Sequence, residues 1–153
     1  MSMKISELLN PQAIVADLQA REKDSALSEL TDALVACEES LDRDEVIAVL
    51  QEREKLGSTG IGDGVAIPHG KLAGIPELML AFGKSAEGVD FESMDGQPAH
   101  LFFLLVAPEE SVGVHLKTLA RISKLLKDPA VRQKLLEAED RETIYQVILD
   151  EEG

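Results

Sequence analysis

Apolar positions along the chain recur at two periods, and each change of period marks an element. After a short N-terminal turn, "AIVADL" (13–18) reads as an edge strand. Beyond Asp24 and Ser25, which suit a helix start, Leu27, Leu30, Leu34 and Cys37 fall three or four apart on one helical face. A second helix starts at Asp42 or Asp44, keeps Val46, Val49, Leu50 and Arg53 close in angle, and stops at Gly57. Short strands then fit near Ser58–Ile61 and Val65–Ile67. Two stronger ones follow, "LMLAFGK" (78–84) and "HLFFLLVA" (100–107). From Leu101 to Ala107 no polar position interrupts the run, the pattern of a strand buried on both faces. Asp95-Gly96 between these strands supplies turn chemistry.

Ser111 opens a long helix whose stripe is His115, Leu119, Ile122 and Leu126. Asp128-Pro129 restarts the chain as another helix, since proline is tolerated in a first turn. A last helix carries Ile144, Val147 and Ile148. Helices on both sequence sides of a strand cluster predict a single-domain α/β sandwich over residues 1–153, a mixed β-sheet flanked by helices and not a regular βαβ repeat.

Charge narrows the functional classes. Asp and Glu outnumber Lys and Arg by 29 to 15, a formal net charge of −14, and such a surface repels nucleic acid and anionic membranes. Aromatics make up only 3%, so base-stacking platforms are not expected either. Cys37 is the one cysteine, which rules out an internal disulfide or a cysteine-rich zinc site. The N-terminus "MSMKISELLN" lacks the apolar segment of a signal peptide, and the longest apolar run, Leu101–Ala107, is too short to span a bilayer. These features predict a cytoplasmic protein without membrane insertion.

One stretch stands apart from the periodic elements: "GSTGIGDGVAIPHGK" (57–71) surrounds His69 with five glycines and a proline. Pro68 holds Ile67 extended and fixes its own φ, so His69 leaves a strand end at a defined angle, and Gly70 is expected to let the backbone turn directly after it. Gly60, Gly62 and Gly64 can bring backbone N–H groups close to an anion, with the Ser58 and Thr59 hydroxyls as further donors or as bonds within the turn. Arg53, Lys55 and Lys71 add positive charge to an acidic chain. A Walker loop, a dinucleotide fingerprint opening a helix and a nucleophile elbow are all missing from the stretch. Histidines 69, 100 and 115 have no metal-ligand spacing, so neither a metal nor another cofactor is expected. His100 has no expected role.

"EREKLGSTGIGDGVAIPHGKL", "FESMDGQPAHLFFLLVAP" and "HLKTLARISKLL", in that order, resemble the phosphotransferase-system enzyme IIA proteins of the mannitol/fructose/nitrogen-regulatory family, most of all the nitrogen-regulatory type. The resemblance runs over nearly the whole chain. It implies that His69 accepts a phosphoryl group, on Nε2, from an HPr-like phosphocarrier. It further implies that His115 is a second active-site histidine and that Arg53 lies near the phosphohistidine. Regulatory target proteins or a IIB protein would take the output, and a binding module without phosphorylation is the rival from another class. Two simpler readings stay open: His115 as a core histidine on its apolar stripe, and Arg53 paired with Glu52 or Glu54. Asp63 stands where the related loop commonly has asparagine.

A neutral imidazole attacks phosphorus through one lone-pair nitrogen, while an acceptor orients the N–H of the other. A backbone carbonyl is the expected acceptor for His69, without the sequence naming which one. In the first turn of its helix, His115 is expected to stay neutral and donate an N–H.

Overall fold

The computed structural model describes residues 4–152; the first three residues of the expected N-terminal turn, and Gly153, lie outside the described residues. A short helix α1 (Ile5–Leu8) leads into strand β1 (Leu9–Val15), followed by α2 (Lys23–Cys37) and α3 (Arg43–Lys55). The strands β2 (Gly60–Gly62), β3 (Val65–Ala66), β4 (His69–Leu72), β5 (Met79–Val89) and β6 (Ala99–Pro108) come next, then α4 (Val112–Lys127), α5 (Pro129–Glu137) and α6 (Arg141–Glu152). The six strands form one mixed sheet in the order β1-β5-β6-β3-β2, with β4 also paired to β6. Helices cover both of its faces. Among the described residues no helix is long and apolar enough to cross a membrane.

Strand β6 is the spine of the molecule. Its run from Leu101 to Ala107 is at most 1% exposed, and its side chains alternate between two cores. Phe102, Leu104 and Val106 pack with Leu27, Leu30 and Leu34 of α2 and Val46 and Leu50 of α3. Leu101, Phe103 and Leu105 pack with Ile122 of α4, Val131 of α5 and Ile144 of α6. The helix starts follow local chemistry. Asp42 caps α3 by accepting from the amides of Asp44 and Glu45, and Asp128 caps α5 through Ala130 with Pro129 in the first turn. At the other end of α5, buried Lys84 donates to the carbonyls of Leu136, at 3.1 Å, and Ala138.

Three local expectations need correction. The first strand occupies Leu9–Val15 rather than 13–18, because the edge strand is bulged between Leu9 and Ile14, where Asn10 and Pro11 are tolerated. Strand β5 runs on past Lys84 to Val89 through a second register irregularity, where the Ser85 hydroxyl accepts from the Gly88 amide at 2.9 Å. Gly70 is not a turn residue: it lies inside β4, opposite Val106. A glycine is required there because helix α3 comes so close that a Cβ would stand 2.9 Å from Val49 Cγ2. The turn that needs left-handed backbone lies earlier, at Asp63 (φ 57°) and Gly64 (φ 76°), which link β2 to β3 as a two-residue hairpin.

Gly83 on β5 marks the tightest contact between α2 and the sheet. A Cβ there would meet Leu30 Cδ2 at 2.6 Å and Leu18 Cδ1 at 2.7 Å, both fully buried side chains. Gly83→Ala is therefore expected to cost about 1–3 kcal/mol of stability. Urea unfolding should show a lowered midpoint at unchanged slope, and an unchanged midpoint would mean that this contact has slack.

Candidate functional site

Register on β6 decides which way the central histidine faces. Val65 lies opposite Leu101 and His69 opposite Leu105, so β3 and β4 follow one unbroken parallel register across the gap at Ile67 and Pro68. Leu105 points into the core beneath α4, and its partner His69 therefore presents its ring on the α4 side, while Gly70 faces α3. The site forms where these three elements converge.

The carbonyl of Ile67 lies 2.7 Å from His69 Nδ1. A carbonyl oxygen can only accept, so Nδ1 carries the proton and Nε2 keeps its lone pair. Burial pushes the His69 pKa below the ordinary histidine value; the hydrogen bond it donates to the Ile67 carbonyl opposes this, Arg53 lowers it further and Glu54 raises it. His115, from the first turn of α4, is 5% exposed and meets the His69 ring edge to face, at 5.5 Å between centroids and 84° between planes. Burial, with smaller contributions from His69 and Lys71, pushes its pKa down to about 4. Among the described residues its buried Nδ1 has no hydrogen-bond partner, which favours the tautomer with the proton on Nε2.

Arg53 comes from the last turn of α3 and donates from Nη1 to the Gly57 carbonyl at 2.9 Å. Neither neighbouring glutamate pairs with it: Lys55 takes Glu52 at 3.1 Å and Lys23 takes Glu54 at 3.0 Å. His69, His115, Arg53, Gly70 and Lys71 line one cavity of about 510 Å³. Its rim is apolar and open to solvent, with Leu56 83% and Leu116 61% exposed, beside Val112.

The glycine-rich residues stand elsewhere. Ser58, Thr59, Gly60, Gly62 and Gly64 are not among the residues lining this cavity. The Ser58 hydroxyl donates to the Phe91 carbonyl at 2.9 Å and accepts from the Gly60 amide at 3.0 Å. Thr59 bonds to the Glu54 carboxylate through both its amide and its hydroxyl. Asp63 is exposed and donates its amide to Asp95 at 3.3 Å. His100 pairs through Nδ1 with the Ser85 carbonyl at 2.8 Å, away from the cavity. Among the described residues no cluster of three or more His, Cys, Asp or Glu side chains is placed to hold a metal ion.

Sequence reasoning missed the apolar rim and the pairing of Glu54 with Lys23 and Thr59. The rim had a signal, since Val112 and Leu116 are four apart on a second face of α4 beside the stripe through His115. Glu54 had none, because its partner Lys23 is distant in sequence.

A family model described as "Phosphoenolpyruvate-dependent sugar phosphotransferase system, EIIA 2" matches residues 7–151. A nitrogen regulatory protein of Bradyrhizobium diazoefficiens is 44% identical over 146 residues, which cover 95% of this chain and 95% of that protein. The fructose-specific EIIABC component of Bacillus subtilis is 42% identical over 146 residues, covering 95% of this chain but only 23% of that much longer protein. Among solved structures, nitrogen regulatory protein IIA-Ntr from Neisseria meningitidis superposes with a TM-score of 0.87 at 35% identity, covering 94% of this chain and 98% of its own. IIA mannitol from Escherichia coli shares the fold, with a TM-score of 0.75 at 21% identity over 91% of this chain and 97% of its own.

The depressed pKa of His115 has a consequence for stability. Below its ordinary value of 6.5 the unfolded chain binds a proton that the folded ring refuses until about pH 4. The contribution is thus fully present above about pH 6.5 and is lost as the pH falls toward 4. Between about pH 7 and about pH 4.5, urea unfolding should show a larger loss for the wild type than for His115→Gln. Equal losses would mean that the imidazole is not held neutral.

Proposed function

We infer the function from a plain premise: this chain belongs to the family of the phosphoenolpyruvate-dependent sugar phosphotransferase system, EIIA 2. It is a IIA component of that phosphotransferase system, with the phosphocarrier and regulatory role of the nitrogen regulatory IIA proteins. The finer reading is that its 153 residues act as one cytoplasmic unit and that His69 accepts the phosphoryl group from an HPr-like donor. The observation that carries this reading is the 2.7 Å bond from His69 Nδ1 to Ile67, which leaves the Nε2 lone pair for attack.

The step balances without a cofactor. His69 Nε2 attacks the phosphorus of the donor's phosphohistidine in line; the new N–P bond forms as the old one breaks, and its electron pair returns to the donor ring. The transferred group leaves His69 with a proton on Nδ1 and phosphorus on Nε2, a cationic ring that the Ile67 carbonyl stabilises. Arg53 and the Nε2–H of His115 supply positive potential to the phosphoryl oxygens. The lowered pKa of both imidazoles supports this, since it keeps His69 a nucleophile and His115 a neutral donor at neutral pH. The exposed apolar rim of Leu56, Val112 and Leu116 suits a protein donor better than a small one. The bonds of Ser58 and Thr59 to Phe91 and Glu54 support a role for this stretch in shaping the chain that leads to His69.

Output goes to regulatory target proteins. Similarity to the fructose-specific component supports a second reading, in which a separate IIB protein receives the group. Mass spectrometry after incubation with phosphoenolpyruvate, enzyme I and either a regulatory or a sugar-type phosphocarrier decides between them. One acid-labile, base-stable phosphoryl group is expected, taken faster from the regulatory donor; preference for the sugar-type donor favours the second reading. His69→Ala should fold and take no label, and undiminished labelling would remove His69 as the acceptor. His115→Ala should still be labelled, but with transfer slowed about 30- to 1,000-fold by loss of about 2–4 kcal/mol of transition-state stabilisation. A variant with reduced melting temperature and wild-type single-turnover transfer would make His115 a packing residue.

A further inference from the structure

A chain of hydrogen bonds reaches the His69 ring from the far side of α3, through residues outside the cavity. It starts at Lys23 in the first turn of α2, whose ammonium group sits 5.2 Å above the Phe91 ring and 3.0 Å from Glu54. The two side chains are only 14% and 5% exposed, so each charge is nearly buried and neutralises the other. A second acidic group, Glu92, lies 3.6 Å from the same ammonium and is open to solvent. The Glu54 carboxylate accepts from the Thr59 amide at 3.1 Å and from the Thr59 hydroxyl. The Thr59 carbonyl accepts from the Ile67 amide at 3.0 Å, and the Ile67 carbonyl accepts from His69 Nδ1.

Ile67 depends on this chain because of where it sits. Between β3 and β4 the Pro68 carbonyl accepts from the Leu105 amide of β6 at 2.9 Å, Pro68 has no N–H to give, and Ile67, one position earlier, turns its amide and carbonyl away from β6. The hydrogen bond from the Ile67 amide therefore goes to Thr59, and Thr59 is gripped at amide and hydroxyl by one carboxylate. Arg53, next to Glu54 at the end of α3, lines the cavity, while Glu54 holds the network on the other side.

We propose that Glu54 is a positioning residue for phosphoryl transfer: held by Lys23, its carboxylate fixes Thr59, and through Thr59 the Ile67 carbonyl that decides which nitrogen of His69 faces the donor. The proposal rests on His69 being the acceptor. A carbonyl that wanders from Nδ1 lets the proton move to Nε2, and that tautomer has no lone pair for attack. The remainder of the molecules must also find the right ring orientation anew. Misplacement at such a distance slows a reaction on the order of 10- to 100-fold.

The test separates positioning from plain stability. Long-range proton–nitrogen correlation spectra of unphosphorylated protein at neutral pH report the His69 tautomer without any donor present. Wild type and Thr59→Ser are expected to hold Nδ1–H. Glu54→Gln and Thr59→Val are expected to show a mixture of tautomers, and single-turnover phosphorylation slowed about 10- to 100-fold. Should Glu54→Gln fail to fold, Thr59→Val decides alone, because it is isosteric and keeps its backbone donor. Variants that lose stability while keeping the wild-type tautomer and rate would overturn the proposal. A wild type that takes no phosphoryl group would overturn the phosphocarrier reading instead, and the tautomer measurement would still report on Glu54.

Discussion

The site depends on one hydrogen bond, from His69 Nδ1 to the carbonyl of Ile67. It fixes the proton on one side of the ring and the lone pair on the other, which under the proposed transfer sets the direction of attack before any partner arrives. The bond spans two residues along the chain, across Pro68. Pro68 keeps its own carbonyl on β6, accepting from the Leu105 amide at 2.9 Å, while the Ile67 amide and carbonyl face away from β6, to Thr59 and to His69.

The sheet supplies everything else that the ring needs. Because β6 is buried on both faces and pairs in unbroken register with β3 and β4, His69 emerges on the side where α4 ends its approach to the sheet, against His115. Gly70, one position on, faces the opposite layer and lets α3 close in, which brings the Arg53 end of that helix to the cavity. Two consecutive residues of one strand thus draw the two helical layers toward a single cavity at the sheet edge. Low local polarity follows from that placement, and both imidazoles are held neutral by it.

Much of this was legible in the residues. The two-sided burial of β6 followed from its unbroken apolar run, and the stripe on α4 placed His115 inward. A helix start at Asp42 or Asp44 was legible, and Asp42 is the one that caps; Asp128-Pro129 marked another, since proline suits a first turn. Other features escaped for physical reasons. The edge strand was expected only from residue 13, after a short N-terminal turn, yet a bulged edge strand starting at Leu9 accommodates Asn10 and Pro11. Gly70 looked like a turn residue, and only the approach of Val49 shows that it makes room. The glycines before His69 looked like a cradle for an anion. Their neighbours' donors are instead spent inside the protein, on Glu54 and Phe91, pairings that no local pattern encodes.

The central claim is that the Nε2 atom of His69 carries the phosphoryl group while Nδ1 keeps its proton on Ile67. Phosphorus and nitrogen NMR of the phosphorylated, nitrogen-labelled protein tests it most directly. The account predicts one phosphorus resonance coupled to Nε2 of His69, with the Nδ1 proton still present and slow to exchange. A phosphoryl group on Nδ1, or on any residue other than His69, would contradict it.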